Sequence, residues 1–251
     1  MEILTCIMML LAGCGVFMIG MKMMSDGLER SAGKEMKKLF NHLTGNRFAG
    51  VGIGALVTVI VNSSAATTVM AIGFVNAGVM TLVQAAAIIM GANIGTTLTG
   101  FVISLSAFDV NLYASVLAFI GIMMTFFKND NVKKIGGILC GLGLMFVGLD
   151  AMSGAFDGES AITALVEKAF EVIDFPLLLI LIGMAFTAII QSSTATTGLV
   201  IIMVGAGAMR VDSGLFVILG TNIGTCVTAI IASIGTSTNS RRTAFFHLLF
   251  N

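Results

Sequence analysis

Two apolar stretches, 48–79 and 175–209, are each broken at the centre by a seven-residue polar run. The first run is Asn62-Ser63-Ser64-Ala65-Ala66-Thr67-Thr68 and the second is Gln191-Ser192-Ser193-Thr194-Ala195-Thr196-Thr197. A chain that turns within an apolar medium leaves backbone N–H and C=O groups unpaired, each costing several kcal/mol. Ser and Thr hydroxyls can cap the helix that restarts there. The pattern therefore predicts two broken helical hairpins with Ser/Thr-rich tips. Composition says what surrounds them: 57% of the 251 residues are hydrophobic and 10% are charged, against about 25% charged in a soluble domain. The mean hydropathy of +1.04 agrees. Lys+Arg 13 balances Asp+Glu 13, so no basic field favours nucleic acid. The expected class is an all-α polytopic membrane protein.

A membrane span needs about 20 mainly apolar residues. Ile3 to Met24 qualifies, and it lacks the basic flank of a secretory signal, so it reads as a retained first span. The polar stretch Ser25 to Arg47 places Leu28, Met36, Leu39, Phe40 and Leu43 among Arg30, Lys34, Lys37 and Lys38, which suits a short interfacial helix. Apolar segments follow over 80–105, 112–127, 135–149 and 211–234, with turns at Asp109 and at Lys128–Lys134 and a polar, acidic stretch over 150–174. The last nine residues begin another apolar segment too short to span, so the sequence reads as a piece of a longer protein.

The two interrupted regions are copies. Ser63 pairs with Ser192 at an offset of 129, and the same offset pairs Gly54 with Gly183, Thr58 with Thr187, and Asn93-Ile94-Gly95-Thr96 with Asn222-Ile223-Gly224-Thr225. From Gly54 and Gly183 onward, 20 of 50 positions are identical. The opening helices match at an offset of 128, pairing Gly15, Gly20, Met24 and Ser25 with Gly143, Gly148, Met152 and Ser153.

Charge gives the copies opposite orientations. Lys and Arg in short loops favour the cytoplasm, which places Arg30, Lys34, Lys37, Lys38 and Arg47 inside, along with Lys128, Lys133 and Lys134. Two spans separate those loops, so the first hairpin returns to the side it entered from. The equivalent loop of the second copy, 150–174, carries a single Lys and falls outside. This predicts two inverted-topology repeats, with the N-terminus outside. The first repeat covers 1–111, with its re-entrant hairpin at 48–79. A linking helix and basic cytoplasmic turn occupy 112–134. The second repeat covers 135–242, with its hairpin at 175–209, and 243–251 starts a further helix. Inverted repeats with broken helices characterise secondary transporters, whose sites lie at the repeat interface near the midplane.

Two helix N-termini meeting there would offer free N–H groups and positive dipole ends, an anion site that needs no Lys or Arg. The alternative for each Ser and Thr is a small helix-packing residue. A second repeated motif, Gly91-x-Asn93-Ile94-Gly95-Thr96 and Gly220-x-Asn222-Ile223-Gly224-Thr225, places Gly on both sides of an Asn. Such glycines would loosen a helix and bare carbonyls. Amide, hydroxyl and carbonyl oxygens are neutral hard ligands that suit an alkali cation. The alternative is interhelical hydrogen bonding by Asn. Gly13, Gly15 and Gly20 in the first apolar segment, and Gly136, Gly137, Gly141, Gly143 and Gly148 in the segment 135–149, read as tight crossings. Cys6, Cys14, Cys140 and Cys226 read as small buried hydrophobes, and His42 and His247 as lone residues without ligand partners. No GxSxG, HExxH or P-loop pattern occurs, and no acid–base pair lies in an apolar segment, so nothing points to catalysis.

The Gln191-Ser-Ser-Thr-Ala-Thr-Thr run and its twin at Asn62, each followed about thirty residues later by Gly-x-Asn-Ile-Gly-Thr, resemble the type II sodium-dependent phosphate cotransporter family. The resemblance spans nearly the whole chain. It implies sodium-coupled symport of inorganic phosphate across the cytoplasmic membrane by alternating access. Ser63, Ser64, Thr67, Thr68, Gln191, Ser192, Ser193, Thr196 and Thr197 would hold the substrate. Asn62, Asn93, Thr96, Asn222 and Thr225 would hold sodium, the coupling ion, and no further cofactor is expected. Asn62 stands where the family motif usually has Gln, and Ala65 and Thr194 where a third Ser is common. The expected partners are phosphate, sodium and lipid, with homo-oligomerisation left open. Another oxyanion, a dicarboxylate, or phosphate sensing without flux are the alternative readings.

Overall fold

The computed structural model describes residues 2–41, 46–105, 111–156, 160–173 and 175–251, and they form eleven α-helices and one short 3-10 turn. His42, Asp109, Asp157, Glu159 and Asp174 lie outside the described residues. The helices are α1 (Glu2–Asn41), α2 (Arg47–Val61), α3 (Ser64–Asn76), α4 (Leu82–Ser104), α5 (Asn111–Thr125) and α6 (Asp130–Ser153). They continue as α7 (Ala161–Val172), α8 (Pro176–Ile190), α9 (Ser193–Gly205), α10 (Val211–Ala232) and α11 (Thr238–Phe250). Four apolar helical stretches are long enough to cross a bilayer: Ile3–Ser31, Leu82–Ser104, Asp130–Phe156 and Val211–Ala232. Leu4, Phe101, Leu177 and Ile189 are among the large apolar side chains left exposed on the outside, the surface a lipid-facing protein presents.

The polar stretch after the first span does not form a separate interfacial helix. α1 runs unbroken for 40 residues, about 60 Å at 1.5 Å per residue. No Gly-Pro or turn cluster interrupts Ser25–Lys38, and the change from apolar to charged residues alters the medium a helix prefers without stopping it. α6 likewise starts at Asp130, capped by Asn129, so Lys133 and Lys134 belong to its first turns rather than to a loop.

α1 and α6 pack as an antiparallel pair through glycine. A side chain on Gly13 would strike the Gly148 carbonyl, and one on Gly148 the Gly13 carbonyl. One turn pair further on, Gly20 and Gly141 stand in the same relation. Applying the repeat offset of 128 to the first contact gives the second: Gly13 becomes Gly141 and Gly148 becomes Gly20. Phe17 and Met145, both 0% exposed, sit between the two contacts. Leu149, Met152 and Ile103 join this central cluster, and α9 lies over it through Ala195 and Ile202.

The Asn motifs differ from expectation in one respect. α4 and α10 pass through them as continuous helices, so their glycines do not loosen the backbone. Their hydrogens face a neighbouring helix instead. A Cβ on Gly91 would collide with the Val51 carbonyl, and one on Gly95 would lie 2.6 Å from the Ala55 carbonyl oxygen. In the second copy, Gly220 meets the Ile180 carbonyl and Gly224 the Met184 carbonyl. Every residue in these contacts is displaced by 129 from its counterpart. Glycine here holds α4 against α2 and α10 against α8, and so fixes where the Asn side chains stand.

Candidate functional site

α2 and α8 are each 15 residues long and α3 and α9 each 13, about 20–23 Å of helix against roughly 30 Å of hydrocarbon. None of them crosses alone. The break between α2 and α3 is made by Asn62 at φ 53, and that between α8 and α9 by Gln191 at φ 57. These are the two positive-φ residues other than glycine among the described residues. Left-handed backbone costs a residue bearing a Cβ about 1 kcal/mol, and Asn tolerates it better than Gln does.

The next residue restarts the helix. The Ser63 hydroxyl accepts from the Ala66 amide at 3.1 Å and the Ser192 hydroxyl from the Ala195 amide at 3.2 Å. Both are N-caps, and helix geometry leaves the amides of Ser64 and Ala65, and of Ser193 and Thr194, without intrahelical acceptors. Below each cap the Thr pair closes the turn. Thr58 donates to Thr67 at 2.9 Å and Thr67 to the Ser63 carbonyl at 3.0 Å. Thr187 donates to Thr196 at 3.2 Å and Thr196 to the Ser192 carbonyl at 3.0 Å. Thr67 and Thr196 are buried and line neither of the two cavities described below, which gives them a clamping place rather than a substrate-facing one. Thr68 is also buried, and its hydroxyl has no hydrogen-bond partner.

The two tips meet. A cavity of about 230 Å³ is lined by Asn62, Ser63 and Ser64 from one and by Gln191, Ser192 and Ser193 from the other. Ala65 and its repeat counterpart Thr194 line it too, so each tip contributes the same four positions. A neighbouring cavity of about 140 Å³ shares Ser64, Thr194 and Thr225 with the first and adds Asn93, Thr96, Asn222 and Thr197. All nine expected substrate residues except Thr67, Thr68 and Thr196, and all five expected cation residues, therefore line one cavity or the other. Among the described residues, no Asp or Glu lines either. Among the described residues no group of three His, Cys, Asp or Glu side chains gathers to hold a metal ion.

The hydroxyls of the second motif keep their lone pairs outward. Thr96 donates to the Ala92 carbonyl at 3.1 Å and Thr225 to the Thr221 carbonyl at 2.9 Å. Their protons are committed to the helix, and the oxygens remain free to accept or to coordinate. Asn93, which lines the smaller cavity, donates its side-chain amide to Asn251 at 2.7 Å. The Asn62 carbonyl oxygen accepts from Thr99 at 2.8 Å, while its amide nitrogen is buried without a partner.

Three contributors were not singled out from sequence. Ser25 on α1 donates to the Val61 carbonyl at 2.5 Å, satisfying an acceptor that the break in α2 leaves open. Asn251 holds Asn93 from α11. Lys22 lines the larger cavity. Its signal was available: it is the one charged residue between Glu2 and Asp26.

A multi-pass helical membrane protein with a polar cavity between two duplicated helix breaks has the form of a solute carrier. The family described as Na+/Pi-cotransporter matches residues 16–154 and 160–250, and the chain belongs to that family. It is 30% identical over 235 residues to the uncharacterized protein YqeW of Bacillus subtilis (strain 168), covering 94% of this chain and 76% of the relative. It is 27% identical over 245 residues to the putative inorganic phosphate export protein YjbB of Escherichia coli (strain K12), covering 96% of this chain and 44% of that one. Sodium-dependent phosphate transport protein 2A of Mus musculus is 33% identical over 99 residues, 39% of this chain and 16% of the relative. No solved structure matches the chain significantly.

Proposed function

We propose that the chain is the membrane unit of a sodium-coupled phosphate symporter of the cytoplasmic membrane, working by alternating access between two inverted repeats with its N-terminus outside. The observation that carries the reading is the larger cavity, in which two N-capped helix starts from different repeats face each other without an acidic side chain. Helix N-termini of this kind favour phosphate. The neutral oxygens of Asn93, Thr96, Asn222 and Thr225 next to it suit sodium. Inversion is supported by the α1–α6 contacts, which map onto themselves when the repeats are exchanged, as a two-fold axis across an antiparallel pair requires. The repeats also pack reciprocally, α3 against α10 and α9 against α4.

Direction of transport has a second reading, favoured by the name of the Escherichia coli relative, a putative phosphate exporter. Symport and export use the same site and differ in which face loads it. Substitutions at the caps test the site itself. Ser63→Ala and Ser192→Ala, measured as labelled phosphate flux in vesicles with membrane abundance determined alongside, are expected to cut flux at least tenfold at near-normal abundance. Equal loss of flux and abundance would make these serines packing residues. Competition by sulfate or dicarboxylates as strong as by phosphate would change the cargo and leave the site in place.

A further inference from the structure

Lys22 is out of place for a helix that lies in lipid. It is exposed and stands two residues from the end of the apolar run Ile3–Met24, in a helical stretch long and apolar enough to cross a bilayer. A charge there either snorkels to the interface or is met by a partner or a wet cavity. Among the described residues, Lys22 makes no ion pair or hydrogen bond. It lines the larger cavity with both tips, and it is the single charged side chain there. The tip is level with it: Ser25, one turn further along α1, bonds the carbonyl of Val61 at the end of α2.

The repeat makes the position more informative. At the offset of 128 that relates α1 to α6, Lys22 corresponds to Asp150. Met18, Met21, Lys22 and Ser25 line the cavity, whereas none of their counterparts on α6 does. The two tips supply a nearly symmetric set of hydroxyls and amides, and α1 adds one positive charge from one side. We propose that Lys22 is an anion-contacting residue of the carrier, its ammonium pairing with the phosphate held between the two caps. A compact, flexible point charge suits a ligand that must also leave. The inference rests on the phosphate reading of the cavity and adds to it the one group that helix dipoles cannot supply, a full cation.

The test uses the complete reading frame in vesicles and in detergent, with labelled inorganic phosphate as the probe for both flux and equilibrium binding. Lys22→Gln is expected to raise the phosphate KM and Kd by about tenfold or more, the loss of one charge-assisted hydrogen bond. It should also flatten the rise of Kd with ionic strength at fixed sodium. Lys22→Arg should restore most of the affinity. An unchanged Kd in Lys22→Gln, or Lys22→Arg as defective as Lys22→Gln, would overturn the proposal. Loss of both variants from the membrane would assign Lys22 to insertion and overturn it as well. A wild-type protein that binds no phosphate in either assay would remove the phosphate reading itself. One that binds without flux would leave Lys22 testable by Kd alone.

Discussion

At the residue scale, one hydroxyl chain sets each tip. Thr58 passes a hydrogen bond to Thr67, and Thr67 passes one to the carbonyl of the capping Ser63. Thr67→Val removes the acceptor and leaves the buried Thr58 hydroxyl unpaired, a loss of about 1–3 kcal/mol. Its expected signature is a lower thermal midpoint of the purified protein, partly recovered in the Thr58→Val/Thr67→Val double variant, where no group is left unsatisfied. A midpoint unchanged by Thr67→Val would contradict the clamp. The matched Thr58 and Thr187 were legible as part of the duplication. Their partnership was not, because a hydrogen bond across nine residues depends on how sharply the chain folds at Asn62, and nothing local to Thr58 states that angle. Thr67, Thr68 and Thr196 belong to the substrate set that the resemblance implies, and they line neither cavity. A helix turns 100° per residue, so neighbours in a motif face different directions.

At the scale of elements, glycine carries the packing. Gly91 and Gly95 admit α4 to the backbone of α2, and Gly220 and Gly224 do the same for α10 and α8. Gly91→Leu forces a side chain into the Val51 carbonyl, a cost of about 3 kcal/mol or more since backbone has to move. It is expected to abolish accumulation of folded protein, whereas Gly52→Ala, at a position with no atom within 4 Å of the added Cβ, should be tolerated. Fluorescence-detected size exclusion of the two variants separates them. From sequence alone the glycines of α1 and α6 read as crossings and those around Asn93 as helix looseners. Periodicity explains the difference: Gly91 and Gly95 are four apart and share a face, the spacing of a contact stripe. Helix starts were legible where a repeated cap marked them, as at Ser63 and Ser192, whereas the start of α6 at Asp130 was hidden in the run 128–134, which reads as a basic turn. The extension of α1 was not, because no residue type in Ser25–Lys38 signals continuation or termination.

At the scale of the whole molecule, both copies of the duplicated sequence send their helix breaks to one cavity, beside the antiparallel pair α1–α6. Duplication and the charge of the loops were enough to expect two related units before any coordinates. Which surfaces would meet was beyond their reach, since α3 against α10 and α9 against α4 are contacts between helices at least 89 residues apart in sequence. The near-symmetry of the tips and the asymmetry of α1 belong together in a carrier. A symmetric site can be offered to either face, and a coupling cation supplies the direction. The central claim is therefore coupling. The most direct measurement is labelled phosphate uptake into vesicles carrying the complete reading frame, with sodium or potassium as the sole outside cation. Uptake that needs sodium and falls to background in the Ser63→Ala/Ser192→Ala double variant is the predicted result. Equal uptake in potassium, or sodium-driven uptake that survives in the double variant, would contradict it.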